Sequence, residues 1–538
     1  MRIHFRFRHR ISSASIAAGF GLALVSTCLS TGPAGAQTTL YDNKDGTTIT
    51  GSFTGVTGFF GAGNVDFGAG DQNSFPAGNA TPSNRKTERL WLEGSIMPGL
   101  GVQFPSPLGD KGNLYGNLSV VGSGTVGDGD AVSSLTPQSS RSTTSNDPFH
   151  LELETAAGGW RSGDTFKNSL GTDAIDISYG DQDFIVGDGL VIDTGTNTGW
   201  RRAAYYTSLQ SAFQRSAIVR LAPDGVPMRA NLFKLENRSN MDLMQGNDSP
   251  ESKLAGFNAE FFQAGAPTKD APNPPDVWTL GVMYFNIYES DSQSLTAANP
   301  TVGSAFATTP SGDRSGLNVY SFRAAGSFLR ADPDILFHGE YVGEQNGESG
   351  RKVDADAWYI EPGYNLESLP WAPVISLRYA HFSGETNTNG TVKHSYDPLF
   401  YGAGPRGYGS WFLGEVYGWY LGPPSNVNVW QIGVQAAPTA NTTLGMIFYD
   451  FAFATHQYAA GNPAITATHA LDEVDVMGSW TPDRLNFLTL SSVVGVGIPG
   501  KAFDQAASSY AQANTGGGAA ASTGAPMVVG ELIATVKF

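Results

Sequence analysis

Residues 528–538 read Val528-Val529-Gly530-Glu531-Leu532-Ile533-Ala534-Thr535-Val536-Lys537-Phe538. In an extended chain, successive side chains point to opposite faces. Leu532, Ala534, Val536 and Phe538 therefore share one face, and Thr535 and Lys537 take the other. An apolar/polar strand that stops on an aromatic fits the closing strand of a membrane-spanning β-barrel. It also fits the last strand of a soluble sandwich, because both folds alternate. The rest of the chain has to decide.

The other end reads as a secretory leader. Arg2, Arg6, Arg8 and Arg10 form a basic segment, residues 16–29 form a short apolar one, and Ala34-Gly35-Ala36 supplies a small-residue cleavage site. Residues 1–36 are expected to leave, with 37–538 as the mature domain. Cys28, the one cysteine, lies in the leader, so the mature chain has no thiol chemistry. The leader removes four arginines and no acid, so the mature chain is more acidic than the whole chain's −17. That charge argues against nucleic acid and anionic surfaces as partners. Aromatics at 11% argue against disorder. No later apolar run approaches the 18 or more residues of a membrane helix. A mature chain that spans a membrane must then do so as a closed barrel.

Strand-like segments recur throughout: 47–60, 88–97, 113–121, 149–157, 174–179, 216–221, 226–235, 254–262, 278–288, 316–328, 335–342, 355–364, 374–382, 427–434, 443–453, 471–480, 485–496 and 528–538. A further short run is 184–186. Tyr320, Phe322 and Phe328 oppose Ser321 and Arg323. Ile375, Leu377 and Tyr379 oppose Ser376 and Arg378. Leu151 and Leu153 oppose His150, Glu152 and Glu154. From residue 215 on, short links (222–225, 330–333, 367–370, 437–440, 481–483) mostly alternate with long ones (238–252, 291–313, 385–425, 456–467, 499–526). Short turns at one end and long loops at the other are what a barrel inserted from one side needs. Segments 61–86 and 123–147 are both long, so a strand hides there or one long link faces the periplasm. The fold expected is all-β: a single transmembrane antiparallel β-barrel of about 18 strands, with 16–18 compatible.

No catalytic constellation is present: no G-x-S-x-G elbow, no H-E-x-x-H, no P-loop. An enzyme, a cofactor and a metal are not expected. The Gly/Asp runs 42–46 and 127–130 read as solvated turns rather than calcium loops. The charges that matter lie on polar strand faces, because a charge facing lipid costs about 2–4 kcal/mol at the midplane. Arg220, Arg229, Arg323 and Arg378 are expected in the lumen, with Asp176, Glu93, Glu340, Glu361, Glu473, Asp475 and His338. Such residues either set selectivity or pair to stiffen the wall. The loop 385–425 is aromatic-dense, which marks contact with something. It folds back into the lumen, stacks on sugar rings, or forms another strand pair over 412–419, the last being preferred. Segment 506–526 reads as a low-complexity external loop.

Tyr179-Gly180-Asp181-Gln182-Asp183-Phe184-Ile185-Val186-Gly187-Asp188-Gly189-Leu190 resembles a glycine-rich stretch of alginate-export-type outer-membrane proteins. The run 396–400, then 426–433 and 444–453, resembles their later half. The resemblance implies a monomeric barrel of about 18 strands in the bacterial outer membrane, passing an anionic polysaccharide through an arginine-rich lumen. Asp181 stands where an arginine is common, and the chain is acidic. Fold and transport therefore carry over better than the substrate. The expectation is an outer-membrane channel for a polar solute or oligosaccharide; the alternatives are a non-transporting surface barrel, adhesive or structural, and a secreted soluble β-protein. Its other partners would be outer-membrane lipid and, through the strand ending at Phe538, the barrel-assembly machinery.

Overall fold

The computed structural model describes residues 38–43, 45–68, 87–107, 110–128, 149–195, 204–237, 252–264, 276–290, 313–329, 331–332, 334–350, 352–385, 391–402, 412–422, 424–455, 466–505 and 524–538. The expected leader and most of 506–526 lie outside these residues.

The strands are β1 (Thr38–Asp42), β2 (Thr48–Gly63), β3 (Glu88–Pro105), β4 (Asn113–Gly127), β5 (Phe149–Arg161), β6 (Ile175–Gln182), β7 (Phe213–Leu221), β8 (Met228–Glu236), β9 (Ser252–Ala264) and β10 (Asp276–Ser290). They continue as β11 (Leu317–Gly326), β12 (Ile335–Asn346), β13 (Lys352–Asn365), β14 (Val374–Phe382), β15 (Val392–Lys393), β16 (Val427–Thr439), β17 (Thr442–Phe453), β18 (His469–Trp480), β19 (Leu488–Pro499) and β20 (Met527–Lys537). Each strand from β2 to β14 pairs antiparallel with the next; β14 pairs β16, and β16 to β20 continue in order. β20 then pairs back onto β2, from Thr54↔Lys537 to Gly63↔Val528. The result is a closed antiparallel barrel of 18 strands, with β1 and β15 as short additions. Closure leaves no sheet edge in lipid.

All 18 periodic segments became barrel strands, and the run 184–186 did not. β2 pairs directly with β3, and β4 with β5. Both long N-terminal links therefore join neighbours at one end of the barrel; no hidden strand is needed and neither link faces the other end. β1 occupies the edge of β2 that β20 leaves free, pairing Thr38↔Gly51 through Asp42↔Thr48.

The faces follow the alternation. Phe322, Leu377, Ile432, Val476 and Leu532 are exposed on the outside, forming the apolar band that lipid covers. Aromatic clusters bound it. Toward the long-loop end Trp358, Tyr379 and Trp430 cluster with tilted rings, at 5.3 and 4.6 Å between ring centres. Near the short-turn end Trp278 stacks on Phe328 at 5.8 Å, and Phe487 on Phe538 at 5.1 Å. Paired girdles mark the two interfaces of an outer-membrane barrel, and in such barrels the short turns face the periplasm.

Candidate functional site in the lumen

The inward faces change character with depth. On β8, Arg229 and Asn231 near the periplasmic end give way to buried Phe233 and Leu235. On β10, Gly281 is followed by buried Met283, Phe285 and Ile287. On β14, Ser376 and Arg378 lead to buried Ala380 and Phe382. On β17, buried Tyr449, Phe451 and Phe453 line the outer half. On these four strands the outer half of the lumen wall is thus apolar, and the periplasmic half is polar.

Loops fill the apolar half. In the β6–β7 connection Phe184, Val186, Leu190, Val191 and Ile192 are buried. In the β14–β16 connection Tyr396, Phe400, Phe412, Leu413, Val416, Tyr417, Tyr420 and Leu421 are buried. All join one apolar cluster with the strand residues. The strand pair expected over 412–419 is absent; Tyr417–Leu421 is a short helical turn instead. Gly414, at φ +71°, breaks any extended run, and Tyr417 stacks on Phe451 at 4.6 Å. The two loops also hold each other. Ile192 bridges Phe400; Phe400 N–H donates to Val191 at 3.2 Å, and Gly402 N–H to Gly189 at 3.1 Å. The two stretches that carried the family resemblance thus meet inside the barrel. From the β19–β20 connection, Phe503 packs on Phe67, Tyr417 and Phe453.

Wall carboxylates anchor this plug. Glu473 accepts the N–H groups of Val416 and Tyr417 at 2.6 and 3.0 Å, and Asp475 that of Glu415 at 2.9 Å. Glu93 accepts those of Tyr206 and Thr207 at 2.7 and 3.2 Å. Glu154 accepts those of Ser211 and Ala212 at 2.6 and 2.7 Å. Glu344 accepts that of Asp397 at 2.9 Å, while Arg314 grips the Asp397 carboxylate through two 2.7 Å bonds. A dry loop needs acceptors for its backbone donors, and these carboxyl oxygens supply them. Beside Glu344, burial pushes the Tyr396 phenol well above its usual range, and the carboxylate adds to the shift.

The expected lumen residues divide into two groups. Arg378 and Glu361 form a buried pair at 3.0 Å, with the guanidinium 5.0 Å from the Phe412 ring. Arg323 is 8% exposed and donates to Glu260 at 2.8 Å and to Asn258. Glu340 is buried and accepts from Ser321 at 2.5 Å. Glu93, Glu473 and Asp475 are loop anchors. These seven line the wall but are covered. His338, by contrast, is one-third exposed and 3.6 Å from Asp188 of the β6–β7 loop, which accepts from Tyr359 at 2.6 Å.

Arg220 and Arg229 are the open ones. Arg220 lies 3.8 Å from Asp176, and Arg229 2.5 Å from Glu260. Arg161, which sequence reasoning passed over, lies 3.4 Å from Asp176. In each pair the arginine is more exposed than its acid: 42% against 15% for Arg161–Asp176, 36% against 15% for Arg220–Asp176, and 45% against 12% for Arg229–Glu260. Glu260 was also missed; its significance comes from partners on strands remote in sequence. Outside the lumen, on the lipid-facing side, Asp450, His469 and Asp472 bring their ligand atoms within 4.8 Å of one another. The turn at 42–46 is a solvated one, closed by the Asn43 carboxamide accepting from Asp45 and Thr47.

Residues 281–518 match the alginate export family, bearing out the resemblance over the later half of the chain. No curated protein matches the chain. Among solved structures, Acinetobacter baumannii OccAB2 and a BenF-like porin from Pseudomonas fluorescens Pf-5 are each 9% identical, with TM-scores of 0.51. Acinetobacter baumannii OccAB4 is 10% identical, with a TM-score of 0.50. All three comparisons cover 91% of this chain and 98% of the other. At such identities the likeness is one of fold: an outer-membrane β-barrel of the porin type.

Proposed function

We propose that this outer-membrane barrel is a selective diffusion channel for polar solutes that carry an anionic group. The observation that carries it is the exposure order within the wall pairs. Arg161, Arg220 and Arg229 present guanidinium groups to the lumen while their carboxylate partners are covered. A solute passing this wall therefore meets positive charge, although the chain as a whole is acidic. Guanidinium forks pair well with planar or multi-oxygen anions. Exposed acids elsewhere do not cancel this, because charges beyond about 8–10 Å are largely screened at physiological salt.

The inward loops make the channel selective rather than wide. Their buried residues pack in the outer half, and the exposed arginines lie on the polar, periplasmic half of the wall. Acidic saccharides and small organic acids both fit this chemistry. The packed loop core favours a second reading, a surface barrel that transports nothing. Conductance of the purified protein in planar bilayers separates the two. Discrete channels with anion preference support transport; folded barrels that insert without conducting support the surface role.

A further inference from the structure

Arg323 lies between two glycines. Gly281 on β10 is in register with Glu260 on one side and Arg323 on the other. To reach Glu260 from β11, the Arg323 side chain must cross β10, and it does so over Gly281. A Cβ at Gly281 would stand 2.6 Å from both Nε and Cζ of Arg323. From the lumen side the β6–β7 loop comes down on the same side chain. A Cβ at Gly187 would stand 2.7 Å from Arg323 Cδ and 2.9 Å from Nε. Gly187 has φ +57°, which an L side chain rarely adopts. The next residue, Asp188, reaches Tyr359 and His338.

We infer that Gly281 and Gly187 are specificity-determining positions: they form a seat in which Arg323 lies flat on the wall and carries the loop tip, and this seat sets the bore. This rests on the channel reading. Arg323 is then a positioning residue. Its guanidinium is committed to Glu260 and Asn258 rather than offered to solute. The Gly-Asp-Gly tip is explained in the same way. The first glycine admits the arginine beneath it, and the aspartate fastens the tip to the adjoining strands.

The test uses G281A, R323A and the double variant, with G347A as control, since nothing lies within 4 Å of a Cβ at Gly347. Each is also made with Val186→Cys, at a buried loop position in a chain whose one native cysteine lies in the expected leader. Folding of every variant is checked by heat-modifiable migration; G281A adds only a methyl group, so it serves if R323A does not fold. The expected result has three parts. Labelling of the introduced thiol by a water-soluble maleimide rises about tenfold or more in G281A and R323A. Single-channel conductance rises about twofold or more in both. The double variant rises no further than either single one, because both remove the same seat. G347A matches the parent. Labelling in G281A equal to that in G347A overturns the seat. Faster labelling with unchanged conductance overturns its role in setting the bore. A parent protein that never conducts, with faster labelling in G281A, overturns the channel reading and leaves the seat standing.

Discussion

The guanidinium of Arg378 lies 3.0 Å from the carboxylate of Glu361, and the two side chains are 1% and 6% exposed. A pair this covered does not meet solute. Removing one partner leaves an uncompensated buried charge, which costs about 3–5 kcal/mol. Arg378→Ala should therefore lower the temperature at which the detergent-solubilised barrel loses its folded migration, and leave reversal potential unchanged. A shift in ion selectivity with unaltered stability would place Arg378 in the conduction path instead.

Glu473 holds the segment that includes Tyr417–Leu421 through two backbone N–H groups. Each such hydrogen bond contributes about 0.5–1.5 kcal/mol net. Glu473→Ala removes both acceptors. It should release the helical turn from the wall, seen as frequent transitions to larger conductance in single-channel records. Quiet records at the parent level would mean that apolar packing alone retains the turn.

The barrel was legible in the sequence because each strand is short, alternates, and faces lipid on one side. Lipid imposes the same rule on every strand, so one rule recovered all 18. Tyr320, Phe322, Leu377 and Leu532 were placed outward correctly by alternation alone. The lumen was harder. Inward residues answer to the loops rather than to one solvent, so Phe285 and Ile287 on β10 are as apolar as lipid-facing ones. The run 184–186 resembles a strand because short apolar runs do not reveal their partner. Gly187 and Gly189, at φ +57° and +80°, turn it into a buried loop. The aromatic loop near 412–421 was legible as a contact surface, but its helical turn depends on carboxylates remote in sequence, such as Glu473.

Phe538 closes the barrel in two ways. Its backbone exchanges hydrogen bonds with Phe53, at 2.9 and 3.1 Å, and its ring stacks on Phe487. Deleting Phe538 should reduce the heat-modifiable fraction recovered from outer membranes severalfold. Recovery equal to the parent's would show that β20 closes on β2 without its last residue.

Arg220 and Arg229 carry charge that faces the lumen, so Arg220→Ala with Arg229→Ala should weaken anion preference. In a tenfold potassium chloride gradient at low total salt, the reversal potential should move toward the cation value. The covered pair at Arg378 supplies the contrast, since its removal should not move it. Equal shifts from both changes would mean that exposure does not decide which arginines a solute meets.

The most direct measurement is the reversal potential of the unmodified protein in that same gradient, in planar bilayers without other protein. Discrete channels whose reversal potential lies on the chloride side of zero are expected, from the guanidinium groups exposed along β5, β7 and β8. Folded protein that inserts but never conducts, or that prefers potassium, would contradict the account.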